Sequence, residues 1–169
     1  HYTVAKRRRS QDAYTPGGVM GKRPDRAVIV YCQKLREIYG DVPLIIGGLE
    51  ASLRRFAHYD YWDDTVRPSI LVDSGADLLS YGMGELQTME IVNRLAKGED
   101  IHTLRDIRGT CYLCAPAETP YGGAQCPDFA QVSSDKIAYC KATKIQMDQQ
   151  DEIYGKIILQ RHGNQMLVQ

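Results

Sequence analysis

Two short apolar segments of the sequence end in closely spaced glycines that are followed by glutamate. They are IIGGLE at 45–50 and YGMGE at 81–85. Where a parallel strand passes into a helix, glycine lets a ligand approach the backbone, and the helix offers unpaired N–H groups. Glycines also make tight strand-to-helix turns where no ligand binds, and an early glutamate favours the helix dipole. Both interpretations stay open, and their repetition on two strands favours a ligand-facing edge. The candidate residues here are Gly47, Gly48, Glu50, Gly82, Gly84 and Glu85, with the carboxylates accepting hydrogen bonds from ligand hydroxyls.

A second candidate site is the basic loop, defined as residues 7–26 (RRRSQDAYTPGGVMGKRPDR). Guanidinium groups beside a helix N-terminus suit a phosphate or a carboxylate, although the Walker spacing GxxxxGK[ST] is absent. The alternative is a basic surface loop that docks on an acidic neighbour, such as HYDYWDD at 58–64. An RNA-contacting arm is less favoured because no aromatic residues are interleaved for base stacking. The candidate residues are Arg9, Asp12, Tyr14, Gly17, Gly18 and Arg23, with the arginines as anion contacts.

The five cysteines form no recognisable ligand set. Cys111-x2-Cys114 has the spacing of half a zinc knuckle or of a redox pair, but no second close pair follows it. The spacings also differ from CxxxCxxC, so no [4Fe–4S] site is expected in this chain. We therefore predict free thiols and no metal site. The odd cysteine count and the absence of a signal peptide predict a reducing, cytoplasmic setting.

Two further patterns are set aside. Asp100-Ile101-His102 is similar to the start of DxHxxG, the loop whose histidine binds cobalamin, but Arg105 stands at the glycine position. The acidic segment around His58, Asp60, Asp63 and Asp64 is more typical of a solvated loop than of a metal site.

Composition limits the classes of function. The chain has 169 residues, 21 basic and 21 acidic, and its zero net charge excludes a globally basic nucleic-acid binder. The charge is uneven, since the first 26 residues hold seven basic side chains and only two acidic ones. No apolar stretch approaches the roughly 20 residues that a membrane-spanning helix needs.

The apolar periodicity predicts the elements that position these residues. Strands are expected at 42–46, 77–81 and 107–113. The expected helices run from Pro24 or Asp25 to Tyr39, over about 49–56, from Glu85 to about Lys97, and from Ser133 or Ser134 to about Gln150. The third of these helices is expected to place Leu86, Met89, Val92 and Ala96 on one side. A hairpin is expected at 157–160 and 165–168 around the turn RHGN.

This order of elements predicts an α/β fold: a partial doubly wound, Rossmann-like parallel sheet with a C-terminal connector helix and β-hairpin. We assign residues 1–113 to the later part of a Rossmann-like domain and 114–132 to a linker or surface excursion. Residues 133–169 form the connector. A doubly wound domain normally has five or six strands, so the three expected here indicate a piece of a longer protein.

Three stretches resemble the YgiQ-type branch of the radical S-adenosylmethionine (SAM) superfamily. They are residues 7–27, VPLIIGGLEASLRRFAHYDYWDD at 42–64 and SILVDSGADLLSYGMGE at 69–85, and the resemblance extends to RGT at 108–110 and HGN at 162–164. The general pattern is also similar to cobalamin-binding-type Rossmann domains that precede radical enzyme barrels.

The resemblance implies a parent protein of several hundred residues, in which a Rossmann-like domain precedes a barrel that carries CxxxCxxC, a [4Fe–4S] cluster and SAM. Those cofactors are expected in the parent and none in this chain, and cobalamin is doubtful because its histidine motif is absent. The expected function is an accessory, non-catalytic fragment whose partner is the barrel of the same parent chain. The alternative is a stand-alone binding module for a phosphorylated or anionic small molecule. No membrane partner is expected.

Overall fold

The computed structural model describes residues 10–151 and 153–169 and contains helices and strands in alternation. The helices are α1 (Ala27–Tyr39), α2 (Gly48–Leu53), α3 (Ile70–Ser74), α4 (Glu85–Ala96), α5 (Phe129–Ser134) and α6 (Lys136–Asp148). The strands are β1 (Ile45–Ile46), β2 (His58–Asp60), β3 (Thr65–Arg67), β4 (Leu78–Ser80), β5 (Thr110–Cys114), β6 (Ala124–Gln125), β7 (Ile158–His162) and β8 (Gln165–Val168).

Six strands form the central sheet in the order β1-β4-β5-β8-β7-β6, and β2 with β3 forms a separate antiparallel ribbon. The pairs β1–β4 and β6–β7, at the two ends of the sheet, are parallel. The expected α/β class with a Rossmann-like arrangement of strands and helices is confirmed.

The third expected strand differs in direction, because β5 runs antiparallel to β4, with Leu79 opposite Cys111. The cause is the connection at 97–109, which returns the chain to the end of the sheet at which β4 stops. There, the Tyr81 N–H donates to the Gly109 C=O at 2.9 Å. The sequence pattern therefore predicted the third strand but not its direction relative to β4.

Helices cover both faces of the sheet, and alternate strand residues face the two resulting cores. Leu79 belongs to the first core, together with residues of α1, α3, α5 and α6. Leu78 belongs to the second core, with Ile91 of α4. The apolar side expected for α4 does not face the core. Leu86, Met89 and Val92 are exposed, and Ile91 is buried instead.

The C-terminal third of the chain adds to the same sheet. The segment 114–132 contributes β6, and the hairpin of β7 and β8 lies next to β5. The polar helix expected from Ser133 or Ser134 to about Gln150 is present as α6, and a short helix that was not expected, α5, precedes it. Asp128 caps α5 in a capping box with Gln131, and Asp135 caps α6 by accepting the Ile137 N–H.

The structure also shows elements that the sequence pattern did not predict. Residues 57–76 form the β2–β3 ribbon and α3, where only a mixed segment was expected. Its junction with β7 is held by the fully buried Gln160, which accepts the Ala57 N–H and donates to the Pro127 C=O. Within the described ranges, no helix is both long enough and apolar enough to cross a membrane.

Candidate functional site

The structure brings the two glycine segments together at the carboxyl edge of β1 and β4. The Gly82 N–H donates to Ser52 Oγ of α2 at 3.2 Å. A Cβ added to Gly47 would lie 3.2 Å from the Ser80 C=O, and one added to Gly84 would lie 2.9 Å from Ser80 Oγ. These glycines therefore allow the two strand-to-helix junctions to pack closely against each other.

Ser80, the last residue of β4, is the buried polar side chain at this edge. It is 7% exposed, and its Oγ has no hydrogen-bond partner within the described part of the chain. Gly84 is the N-cap of α4, and no side chain caps the helix there. The first turn of α4 thus begins beside an unpaired buried hydroxyl at the end of a parallel strand.

The two candidate glutamates of the edge have different surroundings. Glu50 accepts a hydrogen bond from Arg54, one turn later on the same chain, at 3.1 Å. Glu85 lies in the first turn of α4, where a carboxylate is favourable for the helix dipole.

Arg55 is a residue of this edge that the sequence analysis missed. Its guanidinium lies 4.9 Å from the centre of the Tyr81 ring and donates to the side chain of Gln169 and to the Ser52 C=O. The signal that could have found it is its place beside Phe56, just after helix α2. Arg55 ties the edge to the last residue of the chain.

The basic loop is organised by Asp12, a carboxylate that is only 3% exposed. Asp12 accepts hydrogen bonds from Arg23 Nε at 2.6 Å, from a terminal nitrogen of Arg23 at 2.9 Å and from the Tyr14 N–H at 3.1 Å. The Arg23 guanidinium also lies 5.1 Å from the centre of the exposed Tyr14 ring. Gly17 and Gly18 form a turn with positive φ in the same loop, and Arg9 lies outside the described residues.

Arg26, at the end of the basic loop, binds the acidic segment of the β2–β3 ribbon. It donates to Asp60 at 2.9 Å and also to Asp63. Burial alone would raise the pKa of Asp60, but hydrogen bonds from Arg26 and from the Trp62 N–H lower it overall. The alternative that the basic loop docks on an acidic neighbour is confirmed at this residue.

The cysteines are dispersed through the fold. Cys111 faces the first core and Cys114 the second, so the two thiols of the CxxC spacing point to opposite sides of β5. Burial raises the pKa of Cys111 to about 12 and that of Cys126 to about 11. Such thiols are protonated near neutral pH and are poor nucleophiles and metal ligands.

The described residues do not fit an iron–sulfur cluster or another metal centre. Among them, no three His, Cys, Asp or Glu side chains are grouped so that they could hold a metal ion. In the acidic segment, Asp63 accepts from Arg67 and Asp64 accepts from the Tyr59 hydroxyl.

A surface groove of about 490 Å³ lies at the opposite end of the sheet, beside β6, and contains none of the candidate residues. It is lined by Gln125, Cys126, Pro127, Gln131, Lys141, Lys144, Ile145 and Asp148.

Comparison with known proteins assigns the family. The radical SAM N-terminal family matches residues 1–169, which is the whole chain. The chain belongs to the radical SAM N-terminal family. It is 55% identical to a UPF0313 protein of Clostridium perfringens over 99% of this chain and 26% of that relative. It is 51% identical to a UPF0313 protein of Clostridium botulinum over 100% of this chain and 26% of that relative. No solved structure matches.

This radical SAM N-terminal chain therefore spans about a quarter of the length of the curated relatives it matches. It corresponds to one part of a larger radical SAM-like protein. The expectation of a longer parent is confirmed by these lengths, but its premise of only three strands is wrong, since the central sheet has six.

Proposed function

We propose that this chain is a non-catalytic accessory domain of a radical SAM enzyme, whose glycine-rich carboxyl edge faces the catalytic barrel or its substrate. One observation carries the first part of the proposal. A family defined by radical SAM proteins matches the whole chain, while the buried cysteines of the chain lie on different faces of the sheet. A [4Fe–4S] cluster needs converging thiolates, so its ligands belong to another part of the parent.

The glycine-rich edge carries exposed apolar side chains that are suited to a contact surface. Leu49 and Met83, in the two glycine segments, are 82% and 85% exposed although both are apolar. Behind them, the junctions are held firmly by Gly82, Ser52 and Arg55. In open α/β sheets this is the edge at which ligands bind.

The test uses the full-length protein with Met83→Glu or Leu49→Glu, and Met147→Glu as the matched control on α6, where Met147 is 64% exposed. We expect the two edge variants to slow SAM cleavage about tenfold or more, since the introduced carboxylate would have to be buried in a contact that excludes water. Iron content should stay unchanged in all three variants. Equal activity of edge and control variants, or loss of iron from the edge variants, would contradict the proposal.

The same proposal includes the type of the parent protein and its location in the cell. The parent would be of the YgiQ type, with the Rossmann-like domain placed before a barrel that supplies CxxxCxxC, the [4Fe–4S] cluster and SAM. A cytoplasmic location fits oxygen-sensitive clusters and the free thiols described above.

The alternative of a stand-alone module for an anionic small molecule has weaker support. Arg23 is engaged by Asp12, and Arg26 by Asp60 and Asp63, so these guanidinium groups already have carboxylate partners. The glycine edge carries Glu85 in the first turn of α4, and its charge would repel an anion.

A further inference from the structure

The sheet ends at β1 with an open edge. The Leu44 C=O accepts the Leu78 N–H of β4, and Ile45 is the next residue. Because backbone polar groups alternate in direction along a strand, the N–H and C=O of Ile45 point away from β4. Within the described part of the chain, no strand lies on that side of β1.

A second exposed feature is an apolar stripe on α1, the helix that precedes β1 in the chain. Tyr31, Leu35 and Ile38 follow one another at helical spacing, and Ile38 is 69% exposed. The side of α1 that meets α3 is a different one, since Arg36 binds the Gly75 C=O and the carboxylate of Asp77. The stripe therefore has no partner helix among the described elements.

The opposite face of the sheet is incomplete at the same end. The side chain of Ile45 lies on the same face of the sheet as Leu78, which is the face of the second core, and is 41% exposed. On α4, which follows β4, Leu86 and Met89 are exposed as well. Parallel strands are normally covered on both faces, so the face that carries Ile45 lacks cover at this end, whereas Ile46, on the other face, is buried in the first core.

We propose that the open edge of β1 and the stripe of α1 bind a further β-strand and its helix, supplied by the part of the same polypeptide that lies outside this chain. The curated relatives are about four times as long as this chain, so such a segment is available in each of them. An added strand would pair with the N–H and C=O of Ile45, and its helix would cover Tyr31, Leu35 and Ile38. This proposal concerns how the sheet is completed and does not depend on the accessory role proposed above.

Thiol labelling of the full-length protein tests the helix contact. Ile38→Cys and Ile137→Cys are compared in a Cys140→Ser background, because Cys140 is exposed in the wild type. Ile137 is a matched control, since it lies on α6 and is 65% exposed. We expect position 38 to react at least about tenfold more slowly than position 137 at every protein concentration. Equal rates would overturn the proposal, and so would slow labelling that disappears on dilution, because a second copy would then be the occupant.

Hydrogen exchange and a proline variant test the strand. In the full-length protein, the Ile45 N–H should exchange about a hundredfold more slowly than an unstructured amide. Ile45→Pro removes that N–H without touching the bonds to β4, because the group points away from β4. In the Ile38→Cys protein it should raise the labelling rate at position 38. Unprotected exchange at Ile45, or no change in labelling with the proline, would overturn the strand-addition proposal.

Discussion

At the residue scale, the most unusual side chain is His162, at the end of β7. It is buried, its ring stacks on Phe129 with 5.6 Å between centroids, and neither ring nitrogen has a hydrogen-bond partner in the described structure. Burial lowers its pKa to about 4, although Asp73 and Asp128 act in the opposite direction. The folded protein therefore holds this ring neutral where an unfolded chain would begin to protonate it.

The pH dependence of stability follows from this shift. Between about pH 6.5 and 4 the unfolded state binds a proton at His162 that the folded state does not, so folding stability falls as pH falls. This one residue changes the free energy of unfolding by at most about 1.4 kcal/mol per pH unit. Above about pH 6.5 it causes no further change. His162→Phe keeps the stacking and removes the titration. Its free energy of unfolding should therefore fall less steeply with acid than that of the wild type.

Denaturant unfolding at several pH values provides the measurement, with His102→Gln as a control because His102 is exposed. Carboxylates that titrate in the same range affect all three proteins alike and cancel from the comparison. Parallel curves for the wild type and His162→Phe would show that His162 is not held neutral.

At the element scale, the junction between β4 and α4 depends on a glycine that faces a serine. In Gly84→Ala the new Cβ would lie 2.9 Å from Ser80 Oγ, so the substitution should destabilise the protein by about 1–3 kcal/mol. In a Ser80→Ala background the nearest remaining atoms lie at 3.8 and 3.9 Å, which are ordinary contacts. The two substitutions should therefore couple, with the double variant at least about 1 kcal/mol more stable than the sum predicts.

Urea unfolding of the four proteins in this cycle gives the coupling energy. Ser80→Ala alone should change stability little, because its hydroxyl has no partner among the described residues. Additive effects within about 0.5 kcal/mol would mean that the two side chains do not share this space.

Local sequence signals predicted most of the elements but few of their long-range relations. The end of α1 at Tyr39 and the ends of β1 and β4 were predicted within a few residues, because the glycines that follow them act locally. The antiparallel direction of β5 depends on how 97–109 crosses the end of the sheet, and no periodicity encodes that path. The face of α4 was mispredicted because its exposed stripe is more regular in sequence than its buried side.

The candidate site was predicted in the same uneven way. The two glycine segments do meet, as expected from neighbouring parallel strands. The basic loop was identified by its charge, but the role of Asp12 as its buried organiser depends on contacts made across the loop. Arg55 and Gln160 were missed because each has one partner that lies more than 100 residues away along the chain.

At the scale of the whole molecule, this chain is a sheet with two cores in which four of its five cysteines are buried as small apolar side chains. Its family membership places it in a radical SAM-like protein about four times its length. We predict that none of its five cysteines binds the iron–sulfur cluster that is expected in the parent protein.

The most direct measurement is the iron content of the anaerobically reconstituted full-length protein in five single variants. The substitutions are Cys32→Ala, Cys111→Ala, Cys114→Ala, Cys126→Ala and Cys140→Ser, with circular dichroism to confirm that each variant is folded. We predict about four irons per chain in every folded variant, as in the wild type. Loss of iron from any folded variant would contradict it, because that cysteine would then be a cluster ligand.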